Sequence, residues 1–412
     1  MTALKVIRKN RFRARPGQVF QFDYWLALSV GGLLVVGMLM AYSTTFDYGL
    51  RLYEDATYFI QRQLIAMAIG IVGIIIFMQF DYQILRRGSV FMMIGTLAML
   101  FFVLLFGEAI FGARRGLYAG SFQPSEIAKV ATILYIAHWL SSKGDRIRDL
   151  TYGLIPFSLI TGVVCAFIVL QPDLGTSVLI AGIAFTLFFI AGADLRQFAI
   201  AGVMGGAIFL FLINVLPHAA ERIDYYKQGL IDPIQGGWHV QQSVVALATG
   251  GFLGVGLGES TQKFGPLPAA HTDGVFAILG EELGILGCLL VILLFGLLTW
   301  RGIKTALNAR DGYGFLLALG ITCWLAFQAL INMAVIVAIV PFTGMPLPFL
   351  SYGGSSMAIS LIGVAILLNI SRDAALNVKV QGRKPIRETI REDLGLRRRN
   401  GRAHLSSSVR RR

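Results

Sequence analysis

The first residues with chemical potential are His271-Thr272-Asp273, which close a polar stretch just before Gly274-Val275-Phe276-Ala277 opens an apolar one. A carboxylate at such a boundary either caps the helix that follows or stands exposed, able to take a proton from a substrate hydroxyl. Lys263 lies shortly upstream in Gln262-Lys263-Phe264, and Leu267-Pro268 separates it from the acid. Further into the apolar run come Glu281 and Glu282. At 1.5 Å per helical residue they lie about 12–14 Å deeper than Asp273. Two adjacent buried carboxylates need cationic or hydrogen-bonding partners, and Lys129 is a candidate. Glu126 and Lys129 are three residues apart, hence on one helix face and of opposite sign. They form either a structural ion pair or a polar wall of a substrate cavity. Arg114 and Arg115 are adjacent, and guanidinium forks match phosphate oxygens. The two hold either lipid phosphate in general or a particular anionic substrate.

The elements that must position these groups are membrane spans. Hydrophobic residues make up 56% of the 412 and charged residues only 14%, with a mean hydropathy of +0.69. A water-soluble domain carries roughly a quarter charged residues. The apolar residues fall in windows near 24–42, 61–79, 89–106, 125–140, 154–170, 177–192, 197–216, 274–300, 314–340 and 348–370. Each approaches or exceeds the roughly 17–25 residues that span a hydrocarbon core. The expected fold is therefore an all-α integral membrane protein with about ten transmembrane helices. An ammonium or carboxylate at mid-bilayer costs about 2.5–3.5 kcal/mol, so the charges named above are paired or functional.

Basic residues set the orientation. With the N-terminus inside, the cytoplasmic segments hold 28 of the 36 lysines and arginines, so both termini are expected in the cytoplasm. The net charge of +13 then reflects orientation and attraction to anionic lipid rather than nucleic-acid binding. Cys165, Cys288 and Cys323 sit in apolar runs and imply no disulfide framework. Three regions are expected: a basic cytoplasmic tail over 1–23, a polytopic domain over 24–371, and a basic, disordered cytoplasmic tail over 372–412. Within the domain, 217–273 forms a large loop on the outer side, too long to be a mere connection. Short helices at the membrane surface are expected there. Asp173 in Gln171-Pro172-Asp173-Leu174-Gly175-Thr176 is expected to cap a helix. Prolines and glycines crowd 341–348 and 351–356; irregular backbone at membrane depth persists only where protein buries it or it lines a cavity.

These motifs, in this order, resemble the SEDS family of bacterial membrane proteins (shape, elongation, division and sporulation), which includes FtsW and RodA. The resemblance runs from Asp23 to Arg372 through Tyr42-Ser43, Phe122-Gln123-Pro124-Ser125-Glu126 with Lys129, and Gln171-Pro172-Asp173. It continues through Gln242-Ser243, Gly250-Gly251, Gly254-Val255-Gly256-Leu257-Gly258, His271-Thr272-Asp273, Gly280-Glu281-Glu282-Leu283-Gly284 and Pro348-Phe349-Leu350-Ser351-Tyr352-Gly353-Gly354-Ser355-Ser356. Each motif alone is weak; the ordered set is specific. The resemblance implies a peptidoglycan glycosyltransferase that polymerises lipid II on the outer face of the cytoplasmic membrane. It also implies a class B penicillin-binding transpeptidase as partner, with lipid II and the nascent glycan strand as the molecules acted on. Asp273 matches the family's proposed catalytic acid. Arg114, Arg115, Glu126, Lys129, Gln242, Ser243, Lys263, His271 and Ser351 are the expected substrate contacts. A divalent cation, Mg or Mn, can share the neutralisation of a departing diphosphate. The run from Gly256-Leu257-Gly258 to Gln262-Lys263-Phe264 is closer to the division branch than to elongation. Two positions depart from the family pattern: Gly274-Val275 stands where Phe-Ile is common, and His239 where Gln is frequent. A lipid II flippase or a non-catalytic scaffold for the transpeptidase would share the same fold.

Overall fold

The computed structural model describes residues 22–110, 113–116, 123–232 and 236–381. Eight helices in it are long and apolar enough to cross a bilayer: α1 (Tyr24–Tyr53), α2 (Tyr58–Phe77), α3 (Gln83–Phe106), Leu150–Val169, α7 (Leu195–Val215), α10 (Val275–Leu307), α11 (Gly312–Ile336) and α12 (Gly354–Gln381), counted to Ala375. The fourth of these opens with a π-helical turn and continues as α5 (Ile155–Val169). Two further windows expected to span are also helical. In α4 (Pro124–Lys143) Glu126 and Lys129 interrupt the apolar run, and α6 (Leu174–Ile190) is apolar but only 17 residues long. Side chains such as Phe91, Val203 and Leu195 are 78%, 74% and 69% exposed. An apolar belt of that extent is stable against lipid, not water, which makes the chain a multi-pass membrane protein.

α11 is the hub. Its apolar window is 78% buried, whereas none of the α7 window is. Around α11 pack α10, α4, α6 and α12, while α1 and α9 (Trp238–Gly250) lean on α10, and α2 on α12. Trp324 and Tyr313 are fully enclosed in this core. The segment between α7 and α10 holds two short helices, α8 (Pro217–Ile231) and α9, as the mixed composition of 217–273 led one to expect.

Three local features differ from the sequence reading. A two-stranded antiparallel ribbon, β1 (Glu108–Ile110) and β2 (Ala113–Gly116), follows α3, so among the described residues the regular structure is helical but for this ribbon; Arg114 pairs with Ala109. The α12 helix continues to Gln381, past the tail boundary expected at 371. Ala374 packs inward there at 6% exposure, and Ala374-Ala375 favours helix. The rest of that tail and residues 1–21 lie outside the described residues. Finally, α10 is broken at Gly284, whose φ of +65° and ψ of −165° are non-helical.

The break at Gly284 is closed by the preceding loop. Val255 and Gly256 donate their N–H groups to the Glu281 and Glu282 carbonyls at 2.9 and 3.1 Å. In return, Ile285 donates to the Gly251 carbonyl at 3.0 Å. Helical hydrogen bonds lost at the kink are thus replaced strand-fashion by another segment, as membrane depth requires. Gly254, at φ +81°, permits the approach: a Cβ there would sit 2.1 Å from the Glu282 carbonyl oxygen.

Candidate active site

Residues 269–274 form a tight turn ahead of α10. Ala269, at φ +51°, offers its carbonyl to the Thr272 and Gly274 N–H groups at 3.0 and 3.2 Å. The N-cap of α10 is Gly274. Asp273 therefore stands one residue before the cap position. By contrast, Asp173 caps α6, accepting the Thr176 N–H at 3.1 Å.

The three carbonyls of the His-Thr-Asp triplet are each held by a different donor. Tyr352 N–H donates to His271 at 2.8 Å, the Ser351 hydroxyl donates to Thr272, and the Asn332 amide donates to Asp273 at 2.9 Å. The same Asn332 amide reaches the Met345 carbonyl at 2.8 Å, and Ser351 Oγ accepts the Leu347 N–H at 2.7 Å. Gln63 of α2 donates to the Ser351 carbonyl and accepts from Gly353 N–H, both at 3.2 Å. A catalytic side chain needs such a fixed base to stay within tenths of an ångström of productive geometry. Ser351 thus serves the site through the backbone, being only 6% exposed.

The Asp273 side chain is part-exposed, and Oδ2 lies 3.4 Å from where a Cβ on Gly344 would be. Gly344 has φ +70°, so any side chain there would be strained and would crowd the carboxylate. The neighbouring turn gathers groups from several helices. Arg222 of α8 donates to the Thr343 carbonyl at 3.4 Å, with its guanidinium 5.4 Å from the Phe342 ring centre. The His239 ring of α9 packs with its centre 4.4 Å from the same ring centre. Tyr226 donates to the Ile339 carbonyl at 2.7 Å, and Gly175 at the start of α6 abuts Thr343 and Met345. Burial holds the His239 imidazole down to about 4 and lowers that of His271 as well. The His271 ring is enclosed by Tyr48, Tyr352 and Phe59, with centroids at 5.5, 6.0 and 6.5 Å.

Glu126 and Lys129 form an ion pair at 2.8 Å, with the two residues 3% and 1% exposed. Lys129 also donates to Gln328 Oε1 at 2.9 Å, and the Gln328 amide donates to the Pro346 carbonyl at 2.8 Å. The pair therefore reaches the Asp273 side of the molecule through Gln328 and the 341–348 loop. Lys263 is part-buried and fully engaged: its ammonium meets Glu282 at 2.8 Å, Ser43 at 3.0 Å and the Gly258 carbonyl at 2.6 Å. Glu281 accepts from Thr261 N–H and Oγ at 3.0 and 2.9 Å and from Ser260. The partners of the paired glutamates are thus Lys263 and the loop, not Lys129. Ser243 is fully buried and returns its hydroxyl to the His239 carbonyl at 2.8 Å, while Gln242 is part-exposed on α9. Arg114 and Arg115 lie on β2; their side chains are outside the described residues. Arg222 and Asn332 are the site residues that sequence reading did not select.

A family profile described as "Cell cycle protein" (FtsW, RodA, SpoVE) matches residues 24–376. The chain is 37% identical to a probable peptidoglycan glycosyltransferase FtsW of Trichlorobacter lovleyi, covering 89% of this chain and 96% of that one. It is 39% identical to the stage V sporulation protein E of Bacillus subtilis, over 82% and 94% of the respective chains. Among solved structures it is similar to a chain of a peptidoglycan synthase complex that coordinates polymerization and crosslinking, with a TM-score of 0.71 and 27% identity over 86% of this chain and 99% of that one. The rod shape determining protein RodA of Thermus thermophilus gives a TM-score of 0.62 at 25% identity, with 86% and 98% coverage.

Proposed function

The chain belongs to the FtsW, RodA and SpoVE family of cell cycle proteins, and from that premise we propose that it is a peptidoglycan glycosyltransferase. It joins the disaccharide of lipid II to a nascent glycan strand and releases undecaprenyl pyrophosphate. The observation that carries the reading is the part-exposed Asp273, whose backbone is pinned by Asn332, Ser351 and Tyr352 beside the glycine turn at 344. A diphosphate leaves readily, so one base suffices where a glycosidase needs two carboxylates. Asp273 takes the proton of the acceptor 4-hydroxyl as that oxygen attacks the donor anomeric carbon. Attack opposite the leaving group inverts that carbon.

The developing diphosphate charge needs fixed cations. Arg222, at the same turn, and Arg114 and Arg115, placed on the ribbon beside α3 and α4, are the groups this fold offers. A divalent cation carried by the diphosphate would require only one or two protein carboxylates, a demand Asp273 can meet. Among the described residues no three His, Cys, Asp or Glu converge as a protein cage for one. Lys129, Glu126 and Lys263 act by holding the loops rather than by touching sugar.

The full arrangement we infer has ten spans, both termini in the cytoplasm, a polytopic domain from residue 24 through α12 and the 217–273 loop outside with Asp273. That placement puts the base where a lipid anchor fixes the diphosphate, at the outer interface. The likeness to a chain of a peptidoglycan synthase complex supports a class B transpeptidase as the partner. A flippase would need an open polar site at mid-depth; the enclosure of the Glu126–Lys129 pair favours the enzyme. The test is polymerisation of purified lipid II by the purified chain, with and without its transpeptidase, read as glycan ladders. Asp273→Asn is expected to lose at least about a hundred-fold in rate with unchanged elution and melting. Polymer formed by that variant at the normal rate refutes the assignment.

A further inference from the structure

Rings from three other segments border the triplet at His271. Tyr48 on α1, Phe59 on α2 and Tyr352 ahead of α12 enclose its imidazole, and they also contact one another. Phe59 meets Tyr352 edge-on at 5.3 Å between ring centres, Tyr48 at 5.8 Å and Tyr53 edge-on at 5.7 Å. Tyr53, the last residue of α1, stacks on Tyr58, the first of α2, at 3.7 Å with 13° between planes. The Arg62 guanidinium, 4.6 Å from the Tyr58 ring centre, braces that stack. The rings thus form a continuous wall from the triplet to the α1–α2 connection.

Packing alone does not account for the wall. Tyr48 and Tyr53 leave 48% and 49% of their surface exposed, whereas Tyr313 in the core is fully enclosed. Membrane anchoring does not account for its inner end. Belt aromatics sit at the rim, at headgroup level, but His271 and Tyr352 are joined to the Asp273 turn, the Tyr352 N–H holding the His271 carbonyl at 2.8 Å. The chemistry also differs from that at the Gly344 turn. There Arg222 is brought in, a cation suited to a diphosphate. The wall instead offers flat apolar faces edged with phenol hydroxyls, which both donate and accept. A pyranose fits such a surface. Its axial C–H bonds present a weakly positive face to the negative face of an aromatic ring, while its equatorial hydroxyls and amides reach the phenols at the edge.

We propose that the wall of Tyr48, Tyr53, Phe59, His271 and Tyr352 seats the amino-sugar residues of a glycan strand, leaving the diphosphate to the cationic turn. The proposal rests on the glycosyltransferase reading and adds the course of the sugar chain, from the triplet along the α1–α2 connection.

The test uses the full chain in lipid nanodiscs, free of glycoside detergent, with hexa-N-acetylchitohexaose as a soluble β-linked amino-sugar chain that carries no phosphate. A saturation-transfer NMR titration is expected to show transfer to the pyranose C–H protons and a measurable Kd. Tyr48→Leu with Tyr53→Leu keeps apolar bulk but removes two rings, and should weaken that Kd about ten-fold. Trp300→Leu, which removes an exposed ring toward the other end of α10, should leave it unchanged. No binding by the wild-type chain, undiminished binding in the double variant, or an equal loss in Trp300→Leu overturns the proposal. Undiminished binding would leave the rings as headgroup anchors. Because binding needs no turnover, the two readings fail separately. Ring-dependent binding without polymerisation of lipid II sinks the enzyme and keeps the wall, whereas polymerisation without ring-dependent binding sinks the wall alone. A circular dichroism melt of each variant identifies misfolding, and Tyr48→Leu alone serves if the double variant melts early.

Discussion

Lys129 and Glu126 are each more than nine-tenths enclosed, so neither can relax into solvent when the other is lost. Removing one member of a buried pair leaves an uncompensated charge, at a cost of about 3–5 kcal/mol. Lys129→Met is thus expected to lower the thermal midpoint far more than the paired change Glu126→Gln with Lys129→Met. A midpoint no higher in the double variant would sink that account. His239 gives a pH signature. Burial holds its folded value near 4, below the ordinary 6.5, so between those values the unfolded chain binds the extra proton. Stability is then complete above about pH 6.5 and falls as pH drops toward 4, by up to about 3 kcal/mol. In His239→Gln the drop in melting temperature between pH 7.5 and 5.0 should shrink, leaving the smaller contribution of His271. An unchanged drop would mean that the ring is hydrated. At this scale the sequence announced Asp273 through its motif and the Glu126–Lys129 pair through i,i+3 spacing. It gave no sign of Arg222, because the group it meets, Thr343, is 121 positions away and no local period links them.

The element that most repays attention is α10 with its break. A glycine within an apolar run is a weak signal, since glycine is common in transmembrane helices, and Gly280–Gly284 reads as continuous helix. What reveals the kink is the partner segment 250–256, whose glycines bring its backbone against carbonyls the kink exposes. The same blindness hid the Lys263–Glu282 pair: the two residues are 19 apart across a turn, and helix geometry has no rule for that separation. Gly254→Ala places a Cβ against the Glu282 carbonyl at 2.1 Å and at a positive φ. Strain and lost docking together are expected to cost about 2–4 kcal/mol. The variant should show a lower melting temperature and a loss of polymerisation in parallel. A fall in activity with melting unchanged would point to direct substrate contact by the loop instead.

For the whole molecule, the apolar windows were legible because lipid demands them: each of the ten coincides with a helix, eight of which are long and apolar enough to span. How tightly each is held was not legible, as α7 and α11 are comparably hydrophobic yet 0% and 78% buried in their apolar windows. A helix with few buried contacts belongs to the least stable part of a fold. Spin-label distances from Ile69 on α2 to Val203 on α7 should therefore spread more widely than those from Ile69 to Leu330 on α11. Equal widths would show that α7 is held by something other than burial. The stitched kink in α10 has a mechanical corollary. Because residues 250–256 and the Glu281–Leu286 stretch share hydrogen bonds, the 250–256 segment acts as a lever bolted to the helix that Asp273 precedes. A neighbouring protein that leans on this segment would tilt Asp273, the proposed base, toward or away from an acceptor sugar without touching Asp273 itself.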